Sequence, residues 1–299
     1  MIPPVPGPPQ RRPSREQVAK RRAAALLVLV IAAGIVLAVV FLAVRGRGHA
    51  AAPVTTVAPP PPPLRIVFPE GFTRKDMARR IAAVDVIARR KRHVRPRLSA
   101  AAYLRVTARL PVPRGFGRPR SPEGFLFPAT YDFLPATTSR QLALQQLKAF
   151  RRNWAKLDLG YARAKHLTPY DVLIIASMVE KEALAPDERP LVAAVIYNRL
   201  HAHMTLGIDA TLRYGLDIPP TKSIRQSQLQ SDSPYNTRKV AGLPPTPIAN
   251  PGLASMQAAA HPARVKYLYF VRKPDKQHHF FTASFRDFVN YERKHGYIR

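Results

Sequence analysis

The residues Ala23–Val44 form an unbroken run of twenty-two residues that are apolar or Gly. At a rise of 1.5 Å per residue, a helix of this length spans about 30 Å, the thickness of the hydrocarbon layer of a bilayer. A secretory signal peptide is the alternative, because His49–Ala52 resembles a cleavage region, but the apolar part of a signal peptide is usually about 7 to 15 residues long. We therefore predict a retained transmembrane helix over 23–44.

The residues before this run predict its orientation. Six basic residues and one acid precede it, namely Arg11, Arg12, Arg15, Lys20, Arg21, Arg22 and Glu16. The positive-inside rule therefore predicts a single-pass protein of the cell membrane, with a cytoplasmic tail over 1–22 and the rest outside the cytoplasm. The proline-rich tail has too few apolar residues to fold and is expected to be disordered. An extracytoplasmic location argues against ATP-dependent chemistry and against chromosomal DNA as a partner.

A proline-rich segment, 45–63, separates the apolar run from the rest of the chain and ends in five consecutive prolines, Pro59–Pro63. Such a run favours a stiff polyproline II helix. A ligand of an SH3-type domain is the alternative, but outside the cytoplasm a spacer is favoured. We predict a linker that holds the folded part away from the bilayer.

The chain is strongly basic, with 48 Lys and Arg against 18 Asp and Glu and a formal net charge of +30. This charge attracts polyanions in general: nucleic acid, anionic lipid or an acidic cell-wall polymer. The basic residues are spread along the chain without an RRM signature, so we predict a solvated surface facing an anionic envelope and no nucleic-acid partner. A polyanion-binding surface protein stays as the weakest alternative. The absence of cysteine excludes cysteine nucleophiles, thiolate zinc sites and disulfides.

Two folded parts are predicted after the linker. The segment 64–87 predicts a short strand, a turn and an amphipathic helix capped by Thr73, and a second helix is predicted over 99–110. The positions expected to be buried are Met77, Ile81 and Val84. A loop rich in Pro, Gly and Arg places the end of this small module at 118, with the boundary near Pro119.

The second part, 119–299, is predicted to be mainly helical. It begins with an extended aromatic segment, and a hairpin is predicted over 266–283. The predicted helices are 139–157, 169–184, 187–201 and one starting at 253–260. The fold class is therefore α+β.

Four of the scarce acids cluster in "MVEKEALAPDERP", residues 178–190: Glu180, Glu182, Asp187 and Glu188. At 100° per residue, Glu182 shares a helix face with Met178 and Val179, whereas Glu180 lies about 160° away, so the two cannot act as one dyad. An apolar environment would raise the pKa of Glu182 and suit it to general acid catalysis.

A structural role is the alternative for this cluster. The two glutamates would then end a helix and pair with Lys181, or with Arg189 and Arg199. Asp187 can cap the next helix, and Glu188 in its first turn favours the helix dipole.

Further motifs accompany this cluster in order: "ERPLVAAVIYNRL", "LGIDATLRYGL", "SPYNTRKVAGLPPTPIANPG" and "AAAHPARVKYLYFV". Together they resemble the endolytic murein transglycosylase family (MltG/YceG-like), from about Leu64 to the C-terminus. The resemblance implies a small LysM-like module over 64–118 and a lysozyme-like catalytic domain over 119–299. It also implies cleavage of the β-1,4 bond between MurNAc and GlcNAc in nascent peptidoglycan strands, which would terminate their elongation.

One glutamate of the "VEKE" element carries the chemistry in that family. We assign it to Glu182, with Glu180 in reserve, from the helix geometry and because lysozyme-like transglycosylases usually follow their glutamate with a small hydroxyl residue. The chain departs from the family pattern at Ala183, where Thr or Ser is commoner, and at Gly207, where Gln is commoner.

The resemblance also implies a substrate groove. It assigns substrate positioning to Asp209 and the groove lining to Asn198, Tyr214, Tyr235, Asn236 and Thr237. Tyr214 in the core and Asn198 as a cap or loop bridge are the structural alternatives. The chemistry requires no cofactor, and His261, His278 and His279 lack the spacing of metal ligands, although His279 could face the groove.

Besides the polyanion-binding surface protein, three functions remain open at this point. A transglycosylase forms a 1,6-anhydro product without water, whereas a hydrolase needs a second carboxylate about 5 to 9.5 Å away, for which Asp209 is the candidate. The third is a non-catalytic peptidoglycan-binding scaffold for a cell-wall synthase.

Overall fold

The computed structural model describes residues 15–45, 63–117 and 121–298, and they fall into two compact units divided at Pro60. The start of the predicted tail, most of the proline-rich linker and the predicted boundary at Pro119 lie outside the described residues. Each unit is described by itself.

The first unit contains one long helix, α1, which spans Arg15–Arg45. Within it, Ala23–Val44 has a mean hydropathy of 3.3 and is long and apolar enough to cross a membrane. Every residue of that stretch is exposed. The helix fits a single-pass membrane anchor.

The second unit mixes helices and strands, which confirms the α+β class. Its strands are β1 Leu64–Val67, β2 Thr130–Phe133, β3 Tyr269–Arg272 and β4 His279–Thr282. Its helices are α2 Arg74–Arg92, α3 Ala100–Ala108, α4 Ser139–Trp154, α5 Gly160–Ala164, α6 Pro169–Glu182, α7 Arg189–His201, α8 Asp209–Gly215, α9 Gln226–Leu229, α10 Leu253–Ala260 and α11 Phe285–Lys294. A short 3-10 helix, Pro186–Glu188, precedes α7.

Three of the helices begin with the same local device, a capping box. The threonine before the helix accepts a hydrogen bond from the third residue's backbone N–H, and that residue's side chain accepts one from the threonine's own N–H. The pairs are Thr73 with Asp76, Thr138 with Gln141 and Thr168 with Asp171. The predicted cap at Thr73 is thereby confirmed.

The first strand, β1, takes its partner from a distant part of the chain. It pairs antiparallel with β2, with Leu64 opposite Phe133. A lone strand would leave backbone groups unpaired, and β2 supplies their partners. Around the sheet, one hydrophobic cluster combines the predicted core residues Met77 and Ile81 with Phe133 and residues of α4. The order is thus β1, α2, α3, β2, and the cluster extends to both sides of Pro119.

The centre of the larger hydrophobic cluster is α6. All residues from 172 to 179 are buried, and the helix packs against α7 and α10. A helix that is apolar on every side is a core helix. Leu173 and Ala176, on the side of Glu180, are as buried as Met178 and Val179 on the side of Glu182. Burial along α6 therefore does not distinguish Glu182 from Glu180. The difference between them comes from the groups that surround the end of the helix.

The predicted hairpin is present, with β3 antiparallel to β4 and Arg272 opposite His279. It packs against α7 and is followed by α11, a helix that we did not predict. Ser284 caps α11 by accepting a hydrogen bond from the backbone N–H of Asp287.

A buried carboxylate, Glu123, connects the β1–α2 region with the larger core. Its oxygens accept hydrogen bonds from the backbone N–H of Arg74 at 2.8 Å, from Asn250 Nδ2 at 2.7 Å and from the Tyr214 hydroxyl at 3.3 Å. Burial raises the pKa of Glu123 to about 7, although these donors oppose the rise. The group therefore titrates near neutral pH at this junction.

Candidate active site

A pocket with a volume of about 590 Å³ opens at the C-terminal end of α6. Its walls come from the ends of α6 and α7, the loop 205–208, the start of α8, the β3–β4 hairpin and α11. This volume lies in the range that is typical of ligand sites, about 300 to 1,000 Å³. Elements far apart in sequence thus meet at one cavity.

Glu182 is the last residue of α6, and its partly buried carboxylate faces the pocket. Burial raises the pKa of Glu182 to about 7, and the negative charge of Asp209 adds to the rise. The positive charge of Arg272 and the backbone N–H of Ala210 oppose it. The raised pKa lets Glu182 hold a proton closer to neutral pH than an exposed glutamate does, as a general acid requires.

Glu180 lies in different surroundings. Its Oε2 accepts a hydrogen bond of 2.9 Å from the backbone N–H of Gly252. A Cβ at Gly71 would lie 3.5 Å from its Cγ, so the carboxylate also adjoins the turn after β1. Burial raises the pKa of the neighbouring Glu70, and the charge of Glu180 raises it further. Glu180 thus lies between that turn and the loop before α10, outside the pocket lining.

The arginines named as alternative partners of the two glutamates have other contacts. Arg189 Nε donates to Ser255 Oγ at 3.2 Å. Arg199 Nε donates to the carbonyl of Leu268 at 2.6 Å, and its guanidinium lies 5.3 Å from the centroid of the Tyr269 ring. Arg199 thus forms part of the pocket wall.

The other two acids of the cluster differ from expectation. Asp187 lies in the 3-10 helix and does not cap α7, because α7 begins after Glu188. Glu188 occupies the cap position without a capping bond; its Oε1 accepts from the backbone N–H of His279 at 2.8 Å, and its Oε2 lies 2.6 Å from His279 Nδ1. Glu188 and His279 are both buried. Glu188 therefore fixes the hairpin to the start of α7.

His279 and Arg272 face each other across the hairpin, and both line the pocket. An ionised carboxylate only accepts hydrogen bonds, so His279 Nδ1 carries the hydrogen that Glu188 accepts. The Glu188 contact thereby fixes the ring that forms this part of the wall.

Asp209, the first residue of α8, also lines the pocket. Its Oδ1 accepts a hydrogen bond of 2.7 Å from Arg238 Nε, forming a half-exposed ion pair. Gly207 just before it has φ +64°, and a Cβ there would lie 3.2 Å from Arg199 Nη1. Glycine adopts this left-handed backbone conformation without strain and leaves room beside the loop for the Arg199 guanidinium.

Three of the other predicted groove residues hold loops in place. Asn198 Nδ2 donates to the carbonyls of Val265 and Tyr267, each at 2.9 Å, which is the loop bridge of the structural alternative. Asn236 is fully buried and donates to the backbone carbonyls of Leu229, at the end of α9, and of Ser231 in the loop after it. Thr237 Oγ1 accepts from the backbone N–H of Ile208 at 3.0 Å.

The two tyrosines form a pair with ring centroids 5.3 Å apart. Tyr214 donates to Glu123, and the Tyr235 hydroxyl lies 2.8 Å from Thr246 Oγ1. The pocket thus brings together Glu182 and Asp209 of the predicted residues. Asn198, Tyr214, Tyr235, Asn236 and Thr237 lie outside its lining.

Several pocket residues were missed by the sequence analysis: Arg238, Tyr269, Arg272, Phe285 and Phe288. Because the chain contains 48 Lys and Arg, the sequence does not reveal which arginine lines a pocket. The spacing of Phe285, Phe288 and Glu292 over i, i+3 and i+7 is a helix-face signal that could have been read. Among the described residues, no group of three or more His, Asp or Glu is arranged to hold a metal ion.

These features define an α+β protein with a membrane-length helix and a pocket of ligand-binding size that is lined by both acids and arginines. The chain belongs to the YceG-like family, whose model matches residues 49–294. A solved structure described as a putative yceG-like protein from Listeria monocytogenes has a TM-score of 0.64 and 30% identity to it, covering 77% of this chain and 76% of the other.

Two curated relatives are named endolytic murein transglycosylase. The protein of Bacillus subtilis (strain 168) is 36% identical over 151 residues, which are 50% of this chain and 42% of the relative. The protein of Streptococcus pneumoniae (strain ATCC BAA-255 / R6) is 36% identical over 180 residues, 58% of this chain and 32% of the relative. The chain thus spans less than half the length of these relatives.

Proposed function

We propose that the protein is a membrane-anchored endolytic peptidoglycan transglycosylase that cleaves the MurNAc–GlcNAc β-1,4 bond of nascent strands and leaves a 1,6-anhydro-MurNAc end. The observation that carries this proposal is Glu182, a carboxyl group with a pKa raised to about 7 in the wall of a 590 Å³ pocket. The family and the names of the two relatives supply the substrate class. Cleavage of nascent strands would terminate their elongation.

The reaction needs one acid that also acts as a base. Protonated Glu182 donates its proton to the glycosidic oxygen as the bond to C1 breaks, and positive charge develops at C1. The Glu182 carboxylate then accepts the proton of the C6 hydroxyl while O6 bonds to C1 and closes the anhydro ring. One proton is given and one is taken back, and no water is consumed.

Asp209 has a positioning and electrostatic role in this mechanism. Its ion pair with Arg238 supports this role over that of a nucleophile, because the bound arginine compensates its charge. Asn198, Tyr214, Tyr235, Asn236 and Thr237 would act through the loops they hold, by keeping the walls of the groove in place.

The rest of the chain supports action near the bilayer. The β1, α2, α3, β2 order supports a LysM-like module for glycan binding. The apolar helix α1 and the basic residues before it support a cytoplasmic N-terminus and an extracytoplasmic pocket. Glycan strands and the membrane are the proposed partners, and a cell-wall synthase that makes the strands would be a further one.

The test is a product analysis with the full chain in detergent. Purified peptidoglycan is digested and the strand ends are identified by mass spectrometry, and we expect 1,6-anhydro-MurNAc ends. Reducing MurNAc ends alone would make the protein a hydrolase. Binding without any new ends would leave the scaffold function, which the alanine at position 183 motivates.

A further inference from the structure

The last helix, α11, presents one aromatic face to the pocket. Phe285, Phe288 and Glu292 follow each other at i, i+3 and i+7, and all three line the cavity that contains Glu182. Phe285 is 61% exposed, and α11 has no buried residue. Within the described part of the chain this face is therefore only partly covered, and Phe285 is its most exposed residue.

The rings on this face form a cluster with Tyr269 of β3. The Tyr269 ring lies 5.5 Å from that of Phe285 and 5.4 Å from that of Phe288, between centroids. Next to this face of α11, Tyr291 stacks on Phe280 of β4 at 4.3 Å with an interplanar angle of 4°. The hairpin thus holds α11 in place, and the cluster is supported by a strand and a helix.

We propose that Tyr269, Phe285 and Phe288 form a sugar-binding subsite, on which a pyranose ring of the glycan strand stacks beside Glu182. This inference rests on the proposed function. The face of an aromatic ring is electron-rich, whereas the C–H groups on the flat side of a β-linked pyranose carry a small positive charge, so the two attract each other. Arg199 and Glu292, which also line the pocket, offer hydrogen bonds to the hydroxyls of the sugar.

The surroundings favour a sugar over a purely apolar occupant. The aromatic cluster continues into the wall that contains Glu182, Asp209 and Arg238. An acyl chain or the apolar face of another protein would remove these charges from water without replacing their hydrogen bonds, which is costly. A sugar covers the rings with one side and bonds to the polar groups with its edge.

The test compares the aromatic ring of Phe285 with an aliphatic side chain. The full chain carrying Glu182→Gln is kept in detergent, and its affinity for a linear β-1,4-linked tetramer of N-acetylglucosamine is measured by calorimetry. Added Phe285→Leu keeps apolar area but removes the ring, and we expect Kd to rise roughly 3- to 10-fold. Phe285→Tyr keeps the ring and should change Kd less than about twofold.

Tyr297→Leu is the matched control, because Tyr297 is an exposed aromatic residue near the same terminus that does not line the pocket. It should leave Kd unchanged. In the chain with Glu182 intact, Phe285→Leu should raise KM for glycan strands with little change in kcat, as expected for uniform binding.

If the chains with Leu and with Phe at position 285 bind the tetramer with equal affinity, the subsite proposal is wrong. If Phe285→Leu instead changes the oligomeric state in analytical ultracentrifugation and not the affinity, the face contacts a second copy. The subsite and the proposed function can fail separately. If the wild-type chain and Phe285→Leu form anhydro ends with the same KM and kcat, only the subsite proposal is wrong. A ring-dependent affinity in a chain that produces no anhydro ends removes the activity alone.

Discussion

Two glutamates at the end of α6 are separated by one residue, yet their carboxylates have different surroundings. Glu182 lines the pocket. Glu180, in contrast, accepts a hydrogen bond from the backbone N–H of Gly252 and lies beside Glu70. Since the helix is buried on both sides, the difference comes from loops brought in by the tertiary fold. The proposed acid is therefore defined by Asp209 and Arg272 as much as by its own helix.

The charges around Glu182 predict the pH dependence of cleavage. An acid must be protonated to act, and the pKa of Glu182 is about 7, so the rate should fall as the pH rises through about 7. Asp209→Asn removes a charge that raises this pKa and should move the fall to lower pH. Arg272→Gln removes a charge that lowers it and should move the fall to higher pH.

The measurement is the pH profile of kcat/KM on purified glycan strands. Arg286→Gln, an exposed residue of α11 outside the pocket lining, is the control and should leave the profile in place. Shifts of the Asp209 and Arg272 variants in the same direction would contradict the assignment of Glu182 as the acid.

At the scale of elements, the β3–β4 hairpin illustrates what could be predicted. Two strand-forming runs around a polar turn predicted the hairpin, because that pattern is local. Its attachment through Glu188 was not predictable, because Glu188 and His279 are 91 positions apart. From the sequence, a carboxylate just before a helix is expected to interact with the helix N-terminus. Only the tertiary fold shows that Glu188 instead binds His279.

The Glu188–His279 contact predicts a stability difference. Glu188→Gln leaves a buried His279 with a weaker partner and should lower the free energy of unfolding by about 2 kcal/mol. The control lies on the same hairpin, where Asp275 and His278 form an exposed pair at 3.0 Å. Asp275→Asn should change the stability little. Denaturant unfolding of the full chain in detergent measures both, and equal effects would contradict a special role for the buried pair.

The junction at Glu123 predicts that stability depends on pH. Its pKa in the folded protein is about 7, well above that of an exposed glutamate, so the folded state holds the proton more tightly. The resulting stability is present below about pH 4.5 and is lost as the pH rises through 7, by on the order of 3 kcal/mol. Glu123→Gln should flatten this dependence.

Glu182 titrates in the same range, so the comparison is made in the Glu182→Gln chain, by denaturant unfolding at pH 5 and pH 8. A stability that falls equally with Gln or Glu at position 123 would show that Glu123 is not the titrating group.

At the scale of the whole molecule, local signals predicted the order of the parts. The apolar run, the capping threonine and the hairpin are each encoded within about twenty residues. The pairing of β1 with β2 and the assembly of the pocket depend on contacts over long separations. The five groove residues assigned by resemblance lie outside the pocket lining, where their side chains bond to neighbouring backbone and side-chain groups.

The central claim is that Glu182, and not Glu180, is the acid that produces 1,6-anhydro ends. The most direct measurement is mass spectrometry of the strand ends that the full chain produces from purified peptidoglycan, compared with Glu182→Gln and Glu180→Gln. We predict that Glu182→Gln produces no anhydro ends and still binds cell wall, whereas Glu180→Gln keeps producing them. Anhydro ends from the Glu182→Gln chain and none from the Glu180→Gln chain would contradict the account.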